Sequence, residues 1–241
     1  VEPLRERWSA VQARVTQLEQ ESLTAAHVNA RQPDVAAMPP AAHVNARPNA
    51  KIRAKLQAEA IHEVQSYHAW LRSLRFLDPA CGSGNFLYVT MAAVKRIELE
   101  VLRELARLHG GQEGLVLDEV HPRQFHGIEV NWWAREIAEL TLWIGYHQFW
   151  REAHGGRTPP VPILEDTGTI ECRDAILAWD AMVHRPEKDR PDPTPRLVHP
   201  VTGELVPDPA AKLPFIEYVG ARQAEWPKAG FIVGNPPFFG Q

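Results

Sequence analysis

The short apolar run Leu74–Leu77 stops abruptly at Asp78-Pro79-Ala80-Cys81-Gly82-Ser83-Gly84-Asn85, and apolar residues at helical spacing follow it. Leu87, Met91, Val94, Ile97, Val101, Leu105 and Leu108 fall on one stripe of a 3.6-residue helix, until Gly110 and Gly111 stop it. A strand, a glycine turn and a long helix are therefore expected in immediate succession. The pattern then repeats. A run at 124–129 precedes a helix from about Asn131, whose buried stripe is expected to hold Trp133, Ile137, Leu140 and Ile144. Further strands are expected near Thr169–Cys172 and Phe231–Val233. Strands alternating with helices are the pattern of an open α/β sheet with parallel strands.

Upstream, residues 1 to about 75 read as mostly helix. Leu4, Trp8, Val11, Val15 and Leu18 share one stripe; Leu56, Ala60, Val64, Tyr67, Leu71 and Leu74 share another, in a helix resuming near Lys51. Between them AAHVNAR occurs twice, at Ala25–Arg31 and Ala41–Arg47, and reads as a local duplication in a loop. Its His27 and His43 are expected to be solvated rather than metal ligands, and no metal is expected in the chain. Eight prolines between Pro186 and Pro214 exclude a helix or central strand there; Val201–Glu204 reads as a turn between two short extended pieces.

Composition limits the function classes. A net charge of −4 excludes a uniformly basic nucleic-acid wrapper. Residues 1–76 carry net +3 and the remainder net −7, which a solvated surface explains as well as a ligand. Two cysteines exclude a cysteine-rich zinc site and make a disulfide framework unexpected. No run reaches the roughly 18–20 apolar residues of a membrane span. The opening VEPLRERWSA is charged from the start, so no secretory leader is expected and a cytoplasmic location is.

Four constellations could carry chemistry. In the first, Gly82 and Gly84 permit backbone angles closed to side chains and let a ligand approach the main chain. The third glycine of the dinucleotide fingerprint is missing, and there is no GxxxxGK[ST]. Asp78 at the strand end suits a cationic or amine-bearing ligand rather than a pyrophosphate. Second, Glu129 ends the next strand and could accept hydrogen bonds from both ribose hydroxyls; an ordinary exposed glutamate is the other reading. Third, Asp174 could hold an adenine amine, or merely cap a helix starting at Ala175. Fourth, in Asn235-Pro236-Pro237-Phe238, two prolines lock the main chain. The Asn235 side-chain carbonyl and the Pro236 carbonyl could then converge on an NH2 group, with Phe238 offering a flat stacking face. A proline-rich loop with a buried phenylalanine is the alternative.

DPACGSGNF at 78–86, followed by GNPPF at 234–238, resembles the S-adenosylmethionine-dependent DNA adenine amino-methyltransferases, with the motif order of their gamma class. LDPACGSGNFLYV, QFHGIEVNWWAREIAELTLWIGYHQFW and WPKAGFIVGNPPFFG are similar to the methyltransferase regions of large single-chain restriction–modification enzymes. The resemblance covers about 70–241 and implies a Rossmann-like methyltransferase fold. It implies that Asp78, Ala80, Gly82, Gly84, Asn85 and Phe86 cradle the methionine end of S-adenosylmethionine, that Glu129 binds its ribose and that Asp174 faces its adenine. Asn235, Pro236, Pro237 and Phe238 would hold an adenine flipped out of double-stranded DNA. Similar NPPY-type motifs also serve methylation of RNA bases and protein glutamine. Neither Cys81 nor Cys172 follows a proline, which disfavours ring-carbon methylation through a cysteine nucleophile. Gly230 stands where the family usually has Asp.

The expected organisation is a helical segment at 1–73 and a partial catalytic domain at 74–241, interrupted by a proline-rich insertion at about 181–215. The sheet is expected to be truncated on its C-terminal side. A sequence-recognition domain, and optionally an endonuclease, would lie elsewhere in a longer parent chain, and the fragment alone is expected to be inactive or to serve as an assembly module.

Overall fold

A computed structural model describes residues 1–30, 46–111, 119–157 and 167–235, with the side chains of 26–30 and 46–49 excepted. It divides into two compact units, one of Val1–Arg173 with the segment from Pro227 onward, the other Asp174–Trp226.

In the first unit, α1 (Glu2–Ala30) and α2 (Ala46–Ser73) pack together, and α2 packs on α3 (Asn85–Leu108). The expected stripes are their contacts: Leu4, Trp8, Val15 and Leu18 of α1 and Val64 and Leu71 of α2 are buried. The Tyr67 hydroxyl donates to Leu4 O at 2.9 Å, and burial pushes its pKa up to about 12. The duplicated heptapeptide is not wholly a loop. Its first copy continues α1 as far as Ala30, and Ala46 and Arg47 of the second copy open α2; His43 lies outside the described residues. Alanine-rich sequence favours extending a helix already nucleated.

The sheet has order β12-β1-β2-β3 and is parallel throughout: β1 (Phe76–Asp78), β2 (Phe125–Glu129), β3 (Ile170–Cys172) and β12 (Phe231–Ile232). Phe76, Phe125 and Phe231 lie side by side in register on one face. Their rings stack, with centroids 5.1 and 5.3 Å apart, and this ladder fixes the pairing. All seven apolar residues expected on the α3 stripe are buried.

α4 (Trp132–Ala153) corrects the expected stripe. Trp133, Ile137, Leu140 and Ile144 are all about half exposed or more, and the buried side consists of Ala138, Leu142, Trp143 and Gly145. The small residues mark the true contact. Gly84 sits against the Ala138 backbone, and a Cβ on Gly145 would come within 2.8 Å of both Tyr88 and Met91.

A charged network is buried between α2, α3 and the segment leading into β2. Glu98 accepts from His68 at 2.9 Å, from Lys95 at 2.8 Å and from the Val120 amide at 2.6 Å. Lys95 also reaches Glu119 at 2.9 Å and lies over the Tyr146 ring. Burial pushes the Glu98 carboxyl up, but the hydrogen bond from His68 and the Lys95 charge outweigh it, and the carboxyl is held below its usual range. Lys95 is raised, because its two carboxylate partners outweigh burial.

The second unit is built from paired strands and one 3-10 turn (Pro186–Lys188): β4 (Leu177–Ala178) with β11 (Arg222–Gln223), β5 (Ala181–His184) with β10 (Ile216–Val219), β6 (Arg190–Pro191) with β9 (Lys212–Leu213), and β7 (Arg196–Val198) with β8 (Leu205–Pro207). These are four separate two-stranded antiparallel pairs, nested one within the next along the chain. No helix begins at Ala175. The Asp174 carboxylate instead accepts from the Ile176 and Leu177 amides, and these two bonds hold it below its usual pKa range. No helix among the described residues is long and apolar enough to cross a membrane.

Candidate functional site

The chain lays down β1, β2 and β3 in order toward one edge, then returns to place β12 on the other side of β1. The connections out of β1 and into β12 thus run in opposite directions. Open α/β sheets bind ligands in the crevice beyond the strand ends at such a reversal.

The turn after β1 is held by main-chain bonds that need its glycines. The Cys81 amide donates to Ile128 O at 3.1 Å and the Gly84 amide to Cys81 O at 2.9 Å. Gly82 (φ 54°) and Gly84 (φ 83°) are both left-handed, and a side chain on Gly82 would enter open space. The Glu129 carboxylate bridges two loops: Oε2 accepts from the Gly82 amide at 2.9 Å and Oε1 from the Asn131 amide at 2.8 Å. Asn131 in turn caps α4 through Oδ1, which accepts from the Trp133 amide at 3.0 Å.

Asp78 is 1% exposed. Its Oδ1 accepts from the Ala80 amide at 3.1 Å, while Oδ2 is buried with no hydrogen-bond partner among the described residues. Burial, reinforced by the Glu129 charge, raises its pKa despite the Ala80 bond. Across the crevice, the Val233 amide donates to Leu77 O at 2.9 Å and brings the chain to Gly234. Gly234 has φ 144°, and a Cβ there would lie 2.6 Å from Asp78 Oδ1. Asn235 follows directly and is exposed.

Asp78, Ala80, Gly82, Gly84, Glu129 and Asn235 are thus brought to one end of one sheet. Asn85 and Phe86 open α3 at the same end, with Phe86 half exposed. Asp174 belongs to the second unit. Pro236, Pro237 and Phe238 lie outside the described residues. Three features escaped the sequence reading. Gly127 is needed because a Cβ would meet Cys81 Sγ at 2.7 Å. Asn131 couples Glu129 to α4; its signal was a capping residue two positions past the acid. Trp132 and Trp133 stack at 4.0 Å and stand exposed at the start of α4; adjacent tryptophans beside a strand end were the available signal. No cluster of three or more metal-ligating side chains occurs among the described residues.

Residues 53–241 match the model of the family described as the MmeI DNA-methyltransferase domain. The chain belongs to this family. Two curated relatives of this MmeI-type domain agree. DNA methyltransferase A of Bacillus subtilis (strain 168) is 40% identical over 111 residues, which is 44% of this chain and 12% of that protein. A Methanocaldococcus jannaschii protein named as a type II restriction enzyme and methyltransferase is 31% identical over 125 residues, 51% of this chain and 10% of the relative. The chain therefore spans about a tenth of the length of the relatives it matches. A solved structure of the Type IIL restriction–modification enzyme MmeI in complex with DNA is 35% identical, covering 42% of this chain and 14% of that one, with TM-score 0.39. The chain is thus a DNA-methyltransferase domain of the MmeI type.

Proposed function

We propose that this domain transfers a methyl group from S-adenosylmethionine to the exocyclic N6 amine of adenine in double-stranded DNA, within a longer restriction–modification polypeptide. The observation that supports the reading is the close approach of the Gly234 backbone, next to Asn235, to Asp78 at the end of β1.

The residues present fit the cofactor. Asp78 Oδ2 has no hydrogen-bond partner among the described residues, and an ammonium would supply a donor to it. Gly82 leaves open space over the main chain. The acidic pair Asp78 and Glu129 suits ammonium and hydroxyl donors and repels a triphosphate. On this reading Asp78, Ala80, Gly82, Gly84, Asn85 and Phe86 hold the methionine end and Glu129 the ribose.

When bound, S-adenosylmethionine supplies a methyl group already activated on a sulfonium, so no enzyme nucleophile is required. Adenine's amine is a poor nucleophile because its lone pair is delocalised into the ring. The Asn235 side-chain carbonyl and the Pro236 main-chain carbonyl accept the two amine hydrogens and favour a localised lone pair. On the same reading Pro237 and Phe238 complete the hold on the base. The remaining contribution is orientation along one line of attack. Cys81 takes no part: burial pushes its thiol up to about 12.

The test is product identity. The polypeptide its reading frame encodes is incubated with methyl-labelled S-adenosylmethionine and duplex DNA, and the DNA is digested to nucleosides. Label in N6-methyladenine is expected. Label only in methylcytosine, or none in the DNA, would overturn the proposal.

A further inference from the structure

Glu129 ends β2 with its main chain fixed and its side chain held from two directions. It pairs with Cys172 in the ladder to β3, and its carbonyl accepts from the Arg173 amide at 3.0 Å. Each carboxylate oxygen takes one main-chain amide, Gly82 for Oε2 and Asn131 for Oε1. A carboxylate has about four lone-pair sites, so acceptor capacity remains on both oxygens for a ligand. A group already oriented loses less freedom on binding than one that must first be ordered.

The two anchors differ in what holds them. The Gly82 amide belongs to the turn after β1, which is closed by its own main-chain bonds, Cys81 to Ile128 O and Gly84 to Cys81 O. The Asn131 amide belongs to the short link between Glu129 and α4. Val130, the other residue of that link, is 68% exposed, so its side chain supplies little packing. The link is fixed instead at the helix end. Asn131 has an extended backbone (φ −87°, ψ 112°), and its Oδ1 accepts from the Trp133 amide at 3.0 Å and the Ala134 amide at 3.4 Å. A capping side chain of this kind selects the backbone angles of its own residue. Asn131 therefore faces two ways: its side chain holds the first turn of α4, and its amide points back at Glu129.

We infer that Asn131 is a positioning residue for the cofactor. By capping α4 it aims its own amide at Glu129 and keeps that carboxylate oriented toward the two ribose hydroxyls, an inference that rests on the assignment of Glu129 to the ribose. Asn131 itself makes no contact with the cofactor. A cap that served only helix stability would lower the melting temperature without regard to which part of the cofactor is present.

The test uses the polypeptide as its reading frame encodes it, with calorimetric titration of S-adenosylmethionine and of an analogue lacking both ribose hydroxyls. Melting curves confirm that each variant is folded. Asn131→Ala removes the cap but keeps the amide, and should weaken S-adenosylmethionine at least about five-fold, the scale of one lost cap. Asn131→Ser returns an acceptor to the Trp133 amide and should restore affinity to within about two-fold of wild type. For the analogue, Asn131→Ala and wild type should agree within about two-fold, and single-turnover transfer from the cofactor-saturated enzyme should stay within about three-fold of wild type. Added to Glu129→Ala, the Asn131→Ala change should weaken S-adenosylmethionine no further. Undiminished affinity in Asn131→Ala, an equal loss for both ligands, no rescue by serine, or a further loss in the double variant would overturn the inference and leave the ribose assignment standing. Glu129→Ala alone tests that assignment: if it binds S-adenosylmethionine as tightly as wild type, the ribose assignment falls and the role of Asn131 falls with it.

Discussion

Gly234 and Asp78 touch across the crevice so closely that a methyl group on Gly234 would sit 2.6 Å from Asp78 Oδ1. The glycine opening the Asn235 corner is thus required by the carboxylate closing β1. Gly234→Ala would combine a left-handed backbone with this clash and should destabilise the chain by about 1–3 kcal/mol. Gly230→Ala, whose added carbon meets only Arg75 O at 3.9 Å, should be close to neutral. Equal denaturation midpoints for the two variants would contradict the contact.

Asp78 is expected to trade stability for binding. Its raised pKa means the folded chain holds that proton more tightly than the unfolded one. Its contribution to stability is therefore fully present at acid pH and is lost as pH rises through the raised value. Asp78→Asn has no charge to desolvate and should melt at or above the wild-type temperature at neutral pH. It should bind S-adenosylmethionine at least about ten-fold more weakly, since hydrogen bonds to charged groups contribute about 1.5–3 kcal/mol. Thermal melts and calorimetric titration read both quantities.

The buried Glu98 network ties α2 to the sheet domain. Glu98→Ala should cost about 3–5 kcal/mol, because Lys95 and His68 then lose a buried partner. With its pKa lowered, the Glu98 contribution is complete above the ordinary carboxylate range and is lost as pH falls through the depressed value. Lys95, being raised, contributes fully below the ordinary lysine range and loses that contribution as pH rises through the raised value. Urea denaturation across pH should show the acid loss in wild type and a flatter acid limb in Glu98→Ala.

The two thiols should separate cleanly. Cys172 is exposed; Cys81 is buried, with a pKa of about 12. A thiolate-directed reagent at neutral pH should label Cys172 in the native chain and reach Cys81 only on unfolding. Mass spectrometry of the labelled peptides decides it.

Much of this arrangement was legible from residue order. The four parallel strands fall within two residues of the apolar runs, although only β1 is buried along its whole length, and the glycine turn announced itself. α4 was misread for a physical reason. It is apolar almost all round, with Trp132, Trp133, Ile137, Leu140, Leu142, Trp143 and Ile144 in two competing stripes, so periodicity could not choose between them. Ala138 and Gly145, which fit against Gly84 and Tyr88, held the answer. The second unit was legible only at its Val201–Glu204 turn, because its other pairings are long-range and its sequence lacks apolar alternation.

The central claim is that Asn235 acts on the substrate amine in a crevice shared with the cofactor turn. The most direct measurement compares Asn235→Ala with wild type in the full polypeptide, for S-adenosylmethionine affinity and for single-turnover methyl transfer to DNA. The account predicts affinity within about three-fold of wild type and transfer reduced at least about a hundred-fold, the scale of removing one positioned polar group from a reaction site. Transfer retained at the wild-type rate would contradict it.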